Sequence, residues 1–367
     1  MGYNRVQAGM AELVDAHDSK SCGVIHGSSI LPPGTRNMQK IIVILGPTAS
    51  GKSDLAVKVA EWVQHEKIGG YSGAEVISAD SRQVYKGLDI GTGKITAEEM
   101  RGVPHHCLDI ANPHDRFSVS DWKKCAETAI DEIVSRGKVP IVCGGTGFYI
   151  NALVDNLEFQ DIDIDPEAQK KLEQKTVEEL FAELKKIDPT RAQALNNGSD
   201  NKNKRRLIRS IMIAEQLGSV PPLVSKSSNP KYDALLIGIS IPDEELAGRI
   251  EARLAKRIDT GMILEAQKLH AGTARSRAGE HIDALSLNRM DELGLEYRYL
   301  AQFLVGKIDA KQLVDSLSTK IWQYAKRQMT WFKKDKRIKW FELGGTEKDT
   351  AEQVILRAQG EISIFLK

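Results

Sequence analysis

Ile41-Ile42-Val43-Ile44-Leu45-Gly46-Pro47-Thr48-Ala49-Ser50-Gly51-Lys52-Ser53 decides the fold. Five apolar residues without interruption read as a strand buried on both faces. Gly46 to Ser53 then carries the spacing G-x-x-x-x-G-K-[ST], and Leu55, Val59 and Val63, with Ala56 and Ala60, give the apolar stripe of a helix. Strand, glycine loop and helix make a phosphate-binding unit. The glycines let backbone N–H groups turn toward an anion, and the helix start adds its positive dipole end. Lys52 adds a full charge, and the Ser53 hydroxyl can hold Mg²⁺. The loop leaves open which phosphate compound binds, and whether the bond broken is P–O or C–O.

Strands and helices alternate beyond the loop. Ala74–Ala79 is a short apolar strand ending at Asp80; Asp121 to Arg136 is helical by pattern; Val139 to Cys143 is another buried strand, running into Gly144-Gly145-Thr146-Gly147. Apolar strands separated by helices indicate a parallel sheet. From 157 to 225 the texture becomes that of charged amphipathic helices, over 166–187 and 203–217, before Leu235 to Ile241 returns as a core strand. The expectation is an α/β fold: a P-loop NTPase-like parallel-sheet core over 38–156 and 226–345 with C-terminal helices, interrupted by a helical insertion over 157–225, and a tail over 346–367. Residues 1–37, with neither helical nor strand periodicity, are expected to be a poorly ordered extension, as from a start codon assigned too far upstream.

Composition excludes several classes. With 367 residues, 41% of them apolar, the chain can bury one large core or two modest ones, and wholesale disorder does not fit. No apolar run approaches a membrane span, and no signal-peptide core is visible. Cys22, Cys107, Cys125 and Cys143 form no C-x-x-C pair, so neither a zinc site nor a disulfide framework is expected. A cytoplasmic monomer is the expectation.

Three further stretches carry candidate chemistry. Asp80-Ser81-Arg82-Gln83-Val84-Tyr85 puts a carboxylate at a strand's carboxyl end, the rim where open α/β sheets bind ligands. There Asp80 can accept a proton or hold Mg²⁺ through water; as a turn or cap residue it would do neither. Arg82 and Gln83 can read a base edge or simply be solvated. Gly144 to Gly147 sits at another strand end, where three glycines allow close approach of a ligand or a tight turn into a helix. His105-His106 are adjacent on extended chain and point apart, which favours structural roles over shared chelation.

Charge is concentrated although the net charge is only +1. Lys202, Lys204, Arg205, Arg206 and Arg209 stand together without an acid. Lys320, Lys326, Arg327, Lys333, Lys334, Lys336, Arg337 and Lys339 stand against Asp335 alone, interleaved with Tyr324, Trp331 and Phe332. Cations neutralise phosphates and aromatic rings stack on unpaired bases, so an RNA-binding face competes with a solvated helix face.

Together these residues resemble the tRNA dimethylallyltransferase (isopentenyltransferase) family over roughly 40–340. The resemblance rests on Gly46 to Ser53; on Ile77 to Tyr85 and Asp89-Ile90-Gly91-Thr92-Gly93-Lys94; on His105-His106 with Leu108-Asp109-Ile110; and on Gly144 to Gly147 with Tyr149. It continues with Arg205-Arg206-Leu207-Ile208-Arg209, Arg257 with Gly261-Met262, and Tyr324 to Phe332. It implies transfer of a dimethylallyl group from dimethylallyl diphosphate to N6 of adenosine 37 of tRNA, with Mg²⁺ at Ser53. Gly46, Pro47, Thr48, Ala49, Ser50, Gly51, Lys52 and Ser53 would bind the diphosphate rather than ATP. Asp80 would be the general base, with Thr48 close to the same centre. The anticodon stem-loop would meet Asp80, Ser81, Arg82, Gln83, Thr146, Arg205, Arg206, Leu207, Ile208, Arg209, Lys326, Arg327, Gln328, Thr330, Trp331 and Lys333.

Two stretches depart from the family. Gly294-Leu295-Glu296-Tyr297-Arg298 stands where Gly-Tyr-Lys/Arg-Glu is usual, and Ile321-Trp322 where Thr-Arg is common. Both fall in helices expected to support RNA contacts, which bears on tRNA affinity. The rival readings are a prenyltransferase of free adenine nucleotides, which needs no basic insertion; a small-molecule P-loop kinase, whose lid would be shorter than 157–225; and a non-catalytic RNA-binding P-loop protein, against which Asp80 argues.

Overall fold

The computed structural model describes residues 38–159, 162, 165–197, 201–221, 230–344 and 350–367. The expected extension over 1–37 lies outside them.

The described chain divides into two compact units: one comprises Arg116–Asp121 and Asn151–Pro230, and the other the residues up to Asp115, Trp122–Ile150 and Lys231–Lys367. The larger unit holds a parallel sheet built from β1 (Gln39–Leu45), β2 (Ala74–Ala79), β3 (His105–His106), β4 (Val139–Gly144), β5 (Tyr232–Ser240) and β8 (Lys339–Glu342). Its order is β3-β2-β4-β1-β5-β8. The apolar run Ile41 to Leu45 is wholly buried because β1 is central, with β4 on one side and β5 on the other. Pro140 sits in the interior strand β4 without breaking it: the β1 ladder starts one residue later, at Ile42 and Ile141.

Helix α1 (Lys52–Glu66) follows β1, α2 (Ala97–Met100) precedes β3, α3 (Val119–Ser135) precedes β4, and α4 (Gly147–Val154) follows it. Trp122 stacks on Tyr149 with ring centroids 4.7 Å apart and donates its indole N–H to the Ser78 carbonyl at 2.8 Å. That bond fastens the end of β2, one residue short of Ala79.

The smaller unit contains α5 (Pro166–Gln174), α6 (Val177–Ile187), α7 (Pro189–Asn197) and α8 (Lys204–Leu217). They enclose their own core of Leu172, Leu180, Leu184, Leu195, Leu207 and Ile211. The single helix expected over 166–187 is two. Thr176 starts α6 with a capping box to Glu179, which satisfies the N–H groups a break exposes.

In the larger unit β5 leads to α9 (Asp243–Asp259), α10 (Met262–Ala271), a two-stranded ribbon of β6 (Ala274–Arg275) and β7 (His281–Ile282), then α11 (Leu287–Leu293), α12 (Leu295–Leu304) and α13 (Ala310–Phe332). The expected tail needs correction. Ala351–Leu366 is a helix, α14, whose Val354, Ala358, Ile362 and Leu366 are buried at four-residue spacing as it packs on α1, β5 and β8. Among the described residues no helix is long and apolar enough to cross a membrane.

Candidate active site

Three strands end at the same height. Leu45 and Ala79 are both in register with Gly144, so the loops beginning at Gly46, Asp80 and Gly145 leave the sheet together at its carboxyl rim.

In the first loop Ala49 and Gly51 take left-handed φ of 63° and 83°. Ser50 N–H bonds the Pro47 carbonyl at 3.3 Å. Gly51 is the N-cap of α1, and no side chain caps the helix. The Ser50 hydroxyl is buried without a hydrogen-bond partner among the described residues, and Lys52 Nζ donates to the Pro47 carbonyl at 3.2 Å. Burial pushes the Lys52 ammonium below the ordinary lysine range, while Asp80 opposes that shift. An uncapped helix start, a buried orphan hydroxyl and a lysine fit an anionic group such as a diphosphate.

In the second loop Asp80 Oδ1 accepts from the N–H groups of Arg82 at 2.8 Å and Gln83 at 3.4 Å. This turn aims the carboxylate. Its charge acts on Lys52, Arg253 and Tyr324. Arg253, from α9, donates to Thr48 Oγ1 at 3.4 Å and to the Gly93 carbonyl at 2.8 Å. Burial, then the neighbouring Arg257, pushes its guanidinium below the ordinary arginine value. Tyr324 shares a hydrogen bond with Thr146, whose Oγ1 accepts from Ser81 N–H at 3.1 Å. Burial holds the Tyr324 phenol above its ordinary range, so it stays neutral.

The third loop is clamped from α13. Gln328 is buried; its Oε1 accepts from Thr48 N–H at 2.8 Å and its Nε2 donates to the Gly145 carbonyl at 2.9 Å. A Cβ on Gly145 would stand 2.2 Å from Gln328 Nε2, and one on Gly147 would stand 2.1 Å from the Trp331 ring. The glycines therefore admit the protein's own helix, not a ligand.

A protein-family model described as IPP transferase matches residues 83–335. The chain belongs to the IPP transferase family. Among its relatives, the tRNA dimethylallyltransferase of Carboxydothermus hydrogenoformans is 38% identical over 330 residues, covering 88% of this chain and 98% of that one. The corresponding protein of Acetivibrio thermocellus is 36% identical over 335 residues, 89% and 99% of the two chains. The crystal structure of a tRNA isopentenylpyrophosphate transferase from Bacillus halodurans superposes with a TM-score of 0.61 at 34% identity, covering 89% of this chain and 97% of that one. A eukaryotic dimethylallyltransferase acting on tRNA shares the fold, with a TM-score of 0.67 at 23% identity over 88% and 79%.

In this IPP transferase the expected site residues separate into two sets. Asp80, Thr48, Lys52, Ser81, Arg82 and Thr146 gather at the rim. Gln83 does too, but its amide donates to the Gly93 carbonyl at 3.3 Å and accepts from Ser78 Oγ at 3.4 Å, so it braces a loop rather than reading a base. Gln328 is likewise a clamp. On α13, Lys326, Arg327 and Thr330 are exposed and Trp331 is half-buried, and the C-cap Lys333 is exposed. Lys326 pairs with Asp243 at 2.6 Å, and Arg327 lies over the Tyr324 ring at 5.9 Å. The basic run does not continue as one face: Arg337 pairs with Asp335, and Lys339 lies in β8 paired with Glu361.

Within the smaller unit Arg205 is exposed, and with Arg116 and Arg209 it lines a shallow cleft. Leu207 is wholly buried, and Arg206 and Ile208 nearly so, because they lie on the core side of α8. Their expected RNA contact gives way to packing. His105 and His106 go to different partners, the Val103 carbonyl and Glu75. The residue missed from the sequence is Arg253. Its signal was legible: it stands seven after Leu246 and three after Ile250, on the buried stripe of α9, where an unexplained cation is out of place.

Proposed function

We propose that this chain transfers a dimethylallyl group from dimethylallyl diphosphate to N6 of adenosine 37 in tRNA, as a cytoplasmic monomer. The observation that carries the reading is that Asp80, the uncapped phosphate loop with Lys52, and Arg253 bonded to Thr48 share one rim of the sheet. The bond from the allylic carbon to the diphosphate oxygen breaks, the carbon–N6 bond forms, and the N6 proton passes to Asp80. An exocyclic amine is a poor nucleophile, so a carboxylate that takes its proton assists. Charge developing on the leaving diphosphate meets Lys52, Arg253 and the loop N–H groups. Thr48, held by Gln328 and Arg253, stands beside that centre.

Mg²⁺ fits the donors here. Ser53, exposed in the first turn of α1, offers a hydroxyl, and Mg²⁺ keeps its waters and favours phosphate oxygens. Held at Ser53, it would neutralise charge on the diphosphate.

The exposed cations on α13 suit phosphates of a folded RNA, and so, in the smaller unit, do Arg205 and Arg209. The test incubates the protein with dimethylallyl diphosphate, Mg²⁺ and either an anticodon stem-loop or AMP, and reads prenyl-adenosine by mass. Product on the stem-loop alone supports the reading. Product on AMP alone would make the enzyme a nucleotide prenyltransferase, and no product on either would remove prenyl transfer.

A further inference from the structure

The stretch Asp89-Ile90-Gly91-Thr92-Gly93-Lys94 lies beside the phosphate loop, and its Gly93 carbonyl is the acceptor that holds Arg253. Gly93 has φ of 60°, and a Cβ there would stand 2.6 Å from the Arg253 guanidinium. The loop is therefore shaped to receive that arginine. What shapes the loop comes from elsewhere. Glu265, in the first turn of α10, accepts from Asp89 N–H at 3.0 Å and Ile90 N–H at 2.7 Å through Oε2, and from Gly91 N–H at 2.8 Å through Oε1. Tyr297 Oη donates to the same Oε1 at 2.6 Å. Tyr297 is wholly buried, and burial followed by the Glu265 charge keeps its phenol protonated and donating. On the carbonyl side Arg257 donates to Ile90 at 2.8 Å and to Gly91, and is itself paired with Glu296 at 2.9 Å. Three consecutive N–H groups turned to one carboxylate form a filled anion nest.

We propose that Glu265 is a positioning residue for the transfer: its carboxylate organises 89–94 so that the Gly93 carbonyl presents Arg253 to Thr48 and the leaving diphosphate. The inference rests on the reading of Arg253 given above. It also accounts for the departure at Leu295 to Arg298. Glu296 and Tyr297, within that departing stretch, turn to Arg257 and Glu265 and complete the clamp. Their work is at the donor centre, not on RNA.

Glu265→Gln keeps the size but replaces an acceptor oxygen with an NH₂ group that cannot receive a backbone N–H. The expected result is a single-turnover rate of dimethylallyl transfer about 10–30-fold lower, with the KM for the stem-loop unchanged and the Tm within a few degrees of wild type. In an Arg253→Ala background the same change should cost less than about threefold, because its route to the chemistry is gone. Inorganic pyrophosphate is the second probe: its Kd should rise in Glu265→Gln, and hardly further in the double variant than in Arg253→Ala. If the wild type binds pyrophosphate but transfers nothing, the function reading fails, while the pyrophosphate cycle still judges Glu265. Effects that multiply in the double variant, or an unchanged rate and Kd, would overturn the proposal. Should Glu265→Gln not fold, Tyr297→Phe removes one of the four hydrogen bonds and carries the same cycle, with an expected threefold effect that must vanish without Arg253.

Discussion

Gly51-Lys52 and Gly93-Lys94 are the same dipeptide on two adjacent loops, with both glycines at left-handed φ, 83° and 60°. Their environments are opposite. Lys52 begins a helix that no side chain caps, beside a buried hydroxyl without a partner. Lys94 is fully buried, with Nζ 2.8 Å from the Tyr85 carbonyl, 2.8 Å from Asp89 and 2.5 Å from Asp109, and the N–H groups ahead of it are taken by Glu265. A glycine–lysine pair recognises a foreign anion only where the fold has not already supplied one. At 89–94 the protein's own carboxylates fill the kind of place that the proposed function gives to a diphosphate at the phosphate loop.

The sharpest break of this contrast lies in the chemistry at the phosphate loop and the Asp80 turn beside it. Asp80→Asn should lower kcat about 10²–10⁴-fold with tRNA affinity nearly intact. Lys52→Ala should raise the KM for dimethylallyl diphosphate as well as slowing turnover, because that charge meets the donor before and during reaction. Comparable loss of tRNA binding in Asp80→Asn, with single-turnover chemistry intact, would make Asp80 a docking residue.

Lys94→Met should behave otherwise. Among the described residues it leaves Asp89 and Asp109 with Arg277 as the remaining cation, 3.2 Å and 3.8 Å away. Stability should fall by about 3 kcal/mol, read as a lower Tm, with the KM for the diphosphate little changed. If that KM rises as far as in Lys52→Ala, the two loops are not distinct in role.

The opposite end of the sheet supplies a control remote from either loop. Burial alone would raise the Glu75 carboxyl, but hydrogen bonds from Arg136, Lys138 and His106 outweigh it and bring the group from its ordinary 4.5 to about 2. A depressed carboxyl contributes stability that is complete above the unfolded value and is lost as pH falls from about 4.5 toward 2. Glu75→Gln should remove on the order of 2 kcal/mol at neutral pH and flatten the acid limb of the Tm profile, with no effect on the KM for either substrate.

The smallest effect belongs to the smaller unit. Arg205→Ala with Arg209→Ala should raise the KM for tRNA about tenfold and flatten its salt dependence by roughly one log unit for each phosphate no longer neutralised, leaving the diphosphate KM alone. A parallel rise in both constants would move these arginines to the donor site.

Legibility followed the range of each interaction. The phosphate loop could be read because it is local: strand, turn and helix start lie within fifteen consecutive residues. Asp80 could be read because a short apolar run ending in an acid marks a strand's carboxyl end. For Gln328 the family resemblance implies an RNA contact, and nothing local shows the clamp it makes; its partners Thr48 and Gly145 are 280 and 183 residues away. The run Arg205 to Arg209 read as one basic patch, but a helix turns consecutive residues through 100°, which buries Leu207 and leaves Arg205 exposed.

By itself the sequence determined the parallel α/β core, the phosphate-type loop at Gly46 to Ser53, the carboxylate beside it and the presence of a helical insertion. Each of these is written in hydrophobic period or in glycine spacing, and needs no knowledge of what lies across the fold. Only the tertiary structure decided that Ala351–Leu366 closes the sheet as a helix and that Gly145 and Gly147 make room for Gln328 and Trp331. It also decided that Arg253 reaches Thr48 and that Glu265, rather than a ligand, fills the nest at 89–91. These depend on which distant side chain arrives first at an unsatisfied backbone group, and a pattern of period two or 3.6 carries no record of that.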